Sequence, residues 1–219
     1  MWVVIPVKKI NNAKCRLKSV LSPVQRSEFF AMMLEDVLSI LIDVPAIENV
    51  SIATVCTKAI KIAKKYDVTI LNTHNDEGQT SAISISARTL EKNGVKNMLM
   101  LPGDIPLVNE NEISKVINVH KSAPTMTIVP ARDKKGSNCI ALSPPTAMPL
   151  SFGPNSYFPH LETARSLGIK INSMSLSGIG LDIDTPADLK ELCKKPIRTK
   201  AQHFLNRQNI LGKILNKEL

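Results

Sequence analysis

Short apolar runs alternate along this chain with longer segments in which apolar positions recur every three or four residues. Residues 2–7 (Trp-Val-Val-Ile-Pro-Val) read as a buried strand. Ser22-Pro23 then opens a helix, since Ser caps free N–H groups and Pro at the first helical position gives up nothing. That helix is predicted to run to about Asp43, with Phe29, Met33, Val37, Ile40 and Leu41 at helical spacing. A strand over 50–55, a short helix over 57–66 and a strand over 68–71 follow, and a polar stretch, 72–79, leads to a helix near 80–93. Residues 97–101 form a strand ending in Pro102-Gly103-Asp104-Ile105-Pro106. Then come a helix near 109–121, a strand at 125–130, a turn at 132–138 and a strand at 139–142. A loop, a helix near 155–167, a strand near 170–175 and a helix begun by Pro186 complete the pattern. Such alternation predicts a three-layer α/β/α fold with a mainly parallel sheet. Without repeats or low-complexity linkers, residues 1–197 are expected to form one domain, with a basic helical tail at 198–219.

Composition narrows the class. Of 219 residues, 43% are apolar and 21% charged, which excludes a disordered or collagen-like chain. No apolar stretch approaches the ~18 residues of a membrane span, and the opening segment reads as a strand rather than a signal peptide. Cys15, Cys56, Cys139 and Cys193 are far apart with no C-x-x-C pair, so reduced thiols in a cytoplasmic protein are expected. The net charge of +9 invites a nucleic-acid partner, but its location argues otherwise. Residues 190–219 hold eight Lys/Arg against two acids, which reads as a solvated basic helix. Aromatic residues are only 4%, so stacking platforms for bases are scarce. Phe204, Ile210, Leu211, Ile214 and Leu215 are helix-spaced, so the tail would dock on this chain or on a second copy, as in a homodimer.

Four segments carry chemistry. Lys8, Lys9, Lys14, Arg16 and Lys18 lie just after the first strand, where α/β proteins place ligand loops. Arg grips phosphate bidentately and Lys acts as a point charge, so this loop is either a polyphosphate site or a solvated surface. Asp104 follows a hydrophobic strand, in a position suited to a Mg²⁺ ligand or to a turn cap. Asp182 and Asp184 share one face of an extended segment, where they would repel unless a cation lies between them. The competing reading makes Asp184 or Thr185 the cap of the helix begun by Pro186, with Asp188 a first-turn acid. Finally, Gly136-Ser137-Asn138 and Gly153-Pro154-Asn155-Ser156 suit a small anion bound by N–H and O–H groups, or simple turns. His160 reads as a structural histidine.

Taken in order, these motifs resemble the 2-phospho-lactate guanylyltransferase family of coenzyme F-420 biosynthesis, over about residues 1–192. The motifs are Pro6-x-Lys8…Ala13-Lys14-x-Arg16-Leu17, Met33-Leu34-x-Asp36-Val37, Leu101-Pro102-Gly103-Asp104-Ile105-Pro106-Leu107, Phe152-Gly153-Pro154-Asn155-Ser156…His160 and Asp182-x-Asp184-Thr185-Pro186-x-Asp188-Leu189. The Gly-Gly loop of the molybdenum-cofactor guanylyltransferases is missing. The resemblance implies a nucleotidyltransferase fold related to the GT-A glycosyltransferases. It also implies transfer of GMP from GTP to 2-phospho-L-lactate, phosphoenolpyruvate or 3-phospho-D-glycerate, with release of pyrophosphate. By that resemblance Lys8, Lys14 and Arg16 hold the triphosphate, and Gly78 and Thr80 lie in the nucleotide region. Asp104, Asp182 and Asp184 bind Mg²⁺, with Lys14, Arg16 and Asp104 catalytic. Ser137, Asn138, Gly153 and Ser156 contact the phospho-acid. Three departures stand out: Cys15 replaces a hydroxyl residue, Asp133-Lys134-Lys135-Gly136-Ser137-Asn138 is stretched and more cationic, and Gly78-Gln79-Thr80 replaces Gly-Leu-Asn. Two competing readings are a same-fold transferase acting on a sugar phosphate and a basic RNA- or partner-binding module without activity.

Overall fold

In the computed structural model, which describes residues 1–10, 13–71, 78–153 and 155–215, β1 (Trp2–Pro6) is an interior strand buried on both faces. It pairs in parallel with β2 (Asn49–Ala53) and β4 (Met98–Met100), and β2 pairs in parallel with β3 (Thr69–Leu71). Beyond β4 lie β6 (Ser137–Ser143), β5 (Thr125–Pro130) and β7 (Lys170–Ser173), giving the order β3-β2-β1-β4-β6-β5-β7. β6 runs antiparallel to both neighbours, while β5 and β7 are parallel. The sheet is therefore mixed but mainly parallel.

Alternate side chains of β1 serve two cores. Val3 and Ile5 join one apolar cluster and Val4 the other. The first is closed by residues of α1 (Pro23–Leu41), α2 (Thr57–Lys65), α4 (Glu110–Val119) and α6 (Pro186–Cys193). The second is closed by α3 (Gln79–Lys92) and α5 (Tyr157–Ser166). Helices on both faces of the sheet make the three expected layers.

Local sequence explains the helix starts. Ser22 accepts from Gln25 N–H while Gln25 reaches back to Ser22 N–H, with Pro23 at the first position. Thr185 and Asp188 build the same box ahead of Pro186, so Thr185 is the cap and Asp184 is left for other work. One boundary departs from expectation, because β6 begins at Ser137 inside the expected turn. Ser137 pairs with Pro130 and Cys139 with Val129, which leaves Asn138 as the extra residue of a bulge. Of the polar stretch expected at 72–79, residues 72–77 lie outside the described residues, as does Pro154.

Residues beyond α6 fold back on α1. α7 (Lys200–Arg207) and α8 (Ile210–Leu215) bury Ala201, Phe204, Leu205, Ile210 and Ile214, and the Phe204 ring stacks on Phe29 at 6.2 Å. Asp36 accepts from the backbone N–H groups of Lys200 and Ala201 at 2.7 and 2.9 Å, serving the start of α7 from another helix. Burial pushes the Asp36 carboxyl above its ordinary pKa, against the pull of those two N–H groups. The apolar stripe of the tail thus docks on this chain. Among the described residues no helix is long and apolar enough to cross a membrane.

Candidate active site

The parallel strands β1, β2 and β4 all point their C-terminal ends at one cleft of about 450 Å³. Each strand hands over to a different wall. β1 leads to Pro6, Val7, Lys8, Lys9, Ala13 and Lys14, β2 to Ala53 and Val55, and β4 to Pro102, Gly103 and Asp104. The start of α3 adds Gly78 and Gln79, and Phe30 lines the cleft from α1. This is where an open α/β sheet collects ligand groups.

Lys14 holds the centre. Its backbone is left-handed (φ 57°) and its side chain is almost wholly buried, with the ammonium bonded to Asp104 and to Asp184, the latter at 2.5 Å. Burial alone would lower the Lys14 pKa, but the Asp104 and Asp184 carboxylates outweigh it and hold it above the ordinary lysine value. Burial would likewise raise Asp184, yet the Lys14 charge, with a smaller contribution from exposed Arg16, keeps it below the usual carboxylate range. The other oxygen of Asp104, Oδ1, is buried and has no hydrogen-bond partner among the described residues.

The acidic segment is positioned by a residue the sequence did not flag. Glu112, in the first turn of α4, accepts from Gly178 N–H at 2.9 Å and Ile179 N–H at 2.8 Å. A β-carbon on Gly178 would stand 2.3 Å from the Leu107 carbonyl oxygen, and one on Gly180 2.6 Å from that of Leu176. The Ile183 N–H then donates to the Asp104 carbonyl at 3.0 Å, fixing the two acidic segments side by side. The double glycine just before Asp182 was the available signal for this close packing, whereas Glu112 looked like any first-turn acid.

The three aspartates come together, but not as equals. Asp104 and Asp184 clasp Lys14, while Asp182 accepts from Asn138 Nδ2 at 2.9 Å. Burial, and secondarily the Asp104 charge, push the Asp182 pKa up to about 6 even with that bond. Among the described residues no three acidic, His or Cys side chains close into a metal-binding group by themselves. The three residues expected as metal ligands thus lie together, two of them holding the Lys14 ammonium and the third tied to an amide.

The remaining expected residues fall into two sets. Lys8 and Gly78 line the cleft with Lys14, Asp104 and Asp184. Thr80, Ser137, Asn138, Gly153 and Ser156 are not among the described residues that line it, and Arg16 is exposed. Thr80 Oγ1 accepts from Phe152 N–H at 2.9 Å, tethering the segment that leads to Gly153. Asn138, expected at the phospho-acid, spends its amide on Asp182 and on the Ile179 carbonyl. Ser137 and Ser156 join buried His160, whose role as a structural partner agrees with its reading from sequence.

Residues 1–214 match the family model described as "Guanylyl transferase CofC like". The chain belongs to this CofC-like guanylyl transferase family. It is 30% identical over 196 residues to the phosphoenolpyruvate guanylyltransferase of Rubrobacter xylanophilus, covering 88% of this chain and 93% of that one. It is 28% identical to the 2-phospho-L-lactate guanylyltransferase of Methanothermobacter thermautotrophicus (93% and 89% covered). Identity is also 28% to the 3-phospho-D-glycerate guanylyltransferase of Colwellia psychrerythraea (87% and 90% covered). Among solved structures, a nucleotidyl transferase of Methanothermobacter thermautotrophicus superposes with TM-score 0.66 at 16% identity, covering 94% and 98% of the two chains. A protein of Desulfovibrio desulfuricans G20 reaches TM-score 0.79 at 17% identity, covering 97% of each. Those likenesses carry the fold. The CofC-like match carries the enzyme class.

Proposed function

We propose that this CofC-like enzyme transfers GMP from GTP to a three-carbon phospho-acid of the kind its relatives are named for, releasing pyrophosphate. The observation that supports it best is the Lys14–Asp104–Asp184 cluster at the strand ends, inside a chain that matches the family over almost its whole length. An ionised phosphate oxygen of the acceptor attacks the α-phosphorus, forming one P–O bond while the bond to pyrophosphate breaks and its electron pair leaves with pyrophosphate. No side chain needs to remove a proton, because the nucleophile is already an anion. The chain's task is to bring two polyanions together and neutralise them. Lys8 and Lys14 meet the triphosphate inside the cleft and Arg16 adds charge from its rim. Gly78, at the start of α3, leaves the backbone open to the nucleoside, and Thr80 holds the facing segment through Phe152.

The donor set fits a hard divalent cation. Carboxylate oxygens are its natural ligands, the Oδ1 atom of Asp104 is buried with no partner among the described residues, and a cation of this chain already sits between Asp104 and Asp184. Asp104 and Asp184, with Asp182 beside them, would hold Mg²⁺, which when bound supplies charge neutralisation at the reacting phosphates. Ser137, Gly153 and Ser156 face the acceptor acid in this reading, and Asn138 keeps Asp182 in place.

The test is direct. The purified chain is incubated with GTP, Mg²⁺ and each of phosphoenolpyruvate, 2-phospho-L-lactate and 3-phospho-D-glycerate, and the product mass and pyrophosphate are measured. A guanylylated acid with one of the three is expected. No product with any of them, and product with a sugar phosphate instead, would replace this reading with the sugar-nucleotide one.

A further inference from the structure

Ser137 belongs to a hydrogen-bond chain whose direction can be worked out. The bulge at Asn138 turns consecutive side chains to different neighbours, so Asn138 meets Asp182 while Ser137 meets α5. There His160 is 2% exposed, with Nδ1 2.9 Å from Ser137 Oγ. Its other nitrogen, Nε2, accepts from the Ser151 backbone N–H at 3.1 Å. A nitrogen that accepts carries no hydrogen, so in the neutral ring the hydrogen lies on Nδ1 and is donated to Ser137. Burial holds the His160 pKa down to about 4, in keeping with a neutral ring at pH 7. Ser156 Oγ donates to the same Ser137 oxygen at 3.3 Å. A serine oxygen has two lone pairs, and both are now used. Among the described residues nothing accepts the hydrogen of Ser137.

We propose that His160 is a positioning residue that fixes the Ser137 hydroxyl as a one-way hydrogen-bond donor, so that the ligand atom it meets is an anionic oxygen of the acceptor acid. This rests on the reading of Ser137 as a contact of the phospho-acid. The Ser151 N–H sets the tautomer, and Thr80 accepts the neighbouring Phe152 N–H. A ligand hydroxyl offering its own hydrogen to Ser137 finds no free lone pair, whereas a carboxylate or phosphate oxygen finds a hydrogen already aimed.

Four variants and one spectrum test this. His160→Asn retains an amide N–H near the place of Nδ1, whereas His160→Gln moves the amide toward Ser151 and abandons Ser137. The KM for the phospho-acid is expected to rise about tenfold in Ser137→Ala and in His160→Gln, with the KM for GTP unchanged. His160→Asn should stay near wild type, and the Ser137→Ala/His160→Gln pair should be no worse than Ser137→Ala alone. Equal losses in His160→Asn and His160→Gln, or fully additive losses in the pair, would overturn the proposal. If Ser137→Ala binds the acid normally, Ser137 is no acid contact and the proposal falls, while product formation in the assay above still upholds the guanylyltransferase reading. Nitrogen-15 spectra of the wild-type histidines need no variant to fold. At pH 7 they should show His160 neutral with its hydrogen on Nδ1, and a hydrogen on Nε2 refutes the inference.

Discussion

Lys14 takes a left-handed backbone, which costs a residue with a β-carbon about 1–2 kcal/mol. Its side chain repays this by reaching two carboxylates on separate segments of the chain. An ammonium at this point holds Asp104 and Asp184 to one side chain. Asp104→Asn is therefore expected to keep the fold and lose turnover. The amide retains the shape beside Gly103, but the carboxylate charge that holds Lys14 is gone. The expected outcome is a fall in kcat of about a hundredfold or more, with the thermal midpoint little changed, read by pyrophosphate release and circular dichroism on the same sample. Near-normal turnover at saturating Mg²⁺ would remove Asp104 from the reacting centre. At this scale the residue types were legible: Lys14, Asp104 and Asp184 stand out because they follow apolar strands or precede a capped helix. Their pairing was not, since contacts spanning 90 and 170 positions leave no trace in local pattern.

Among the elements, the segment from Leu176 to Asp184 shows how rigidity reaches the site without regular structure. Glu112 and two crowded glycines hold it, and the capping box of Thr185 and Asp188 ends it. Gly178→Ala must displace backbone, because its β-carbon would overlap the Leu107 carbonyl oxygen at 2.3 Å. A loss of about 1–3 kcal/mol in denaturant unfolding is expected, together with weakened turnover, although no charged group is altered. Unchanged stability and turnover would show that this segment yields freely. The element boundaries were legible where capping chemistry is local, as at Ser22-Pro23 and Thr185-Pro186. They failed at Ser137, where a bulge lets polar residues open a strand, and the antiparallel direction of β6 depends on pairings that composition does not encode.

Across the whole molecule, two buried histidines tie stability to pH. Burial depresses His120 and His160 from the ordinary 6.5 to about 4, and His120, directly after α4, is bonded to Thr127 and Ser143. The unfolded chain takes up these protons before the folded chain does. Stability present above pH 6.5 should thus be lost progressively as pH falls toward 4. The thermal midpoint measured across that range should decline, and less steeply in His120→Gln. A flat profile in wild type would show that the rings are hydrated. The same scale governs the tail: deleting residues 198–219 strips Phe204 from Phe29, removes the buried Leu205 and strands Asp36, so a protein that unfolds at much lower temperature is expected. A truncated chain with the wild-type midpoint would show that the tail is separable. Its helical spacing was legible, but the partner of that apolar stripe was not, because a stripe says only that something covers it. The bond from Lys200 to Asp36 has a consequence in time as well as in space. It joins residues 164 positions apart, so a ribosome adding roughly 5–20 residues per second finishes α1 some ten to thirty seconds before α7 emerges to cover it. Until then the nascent first helix presents Phe29 and its neighbours to the crowded cell, and it is during synthesis that this enzyme has most to gain from a chaperone.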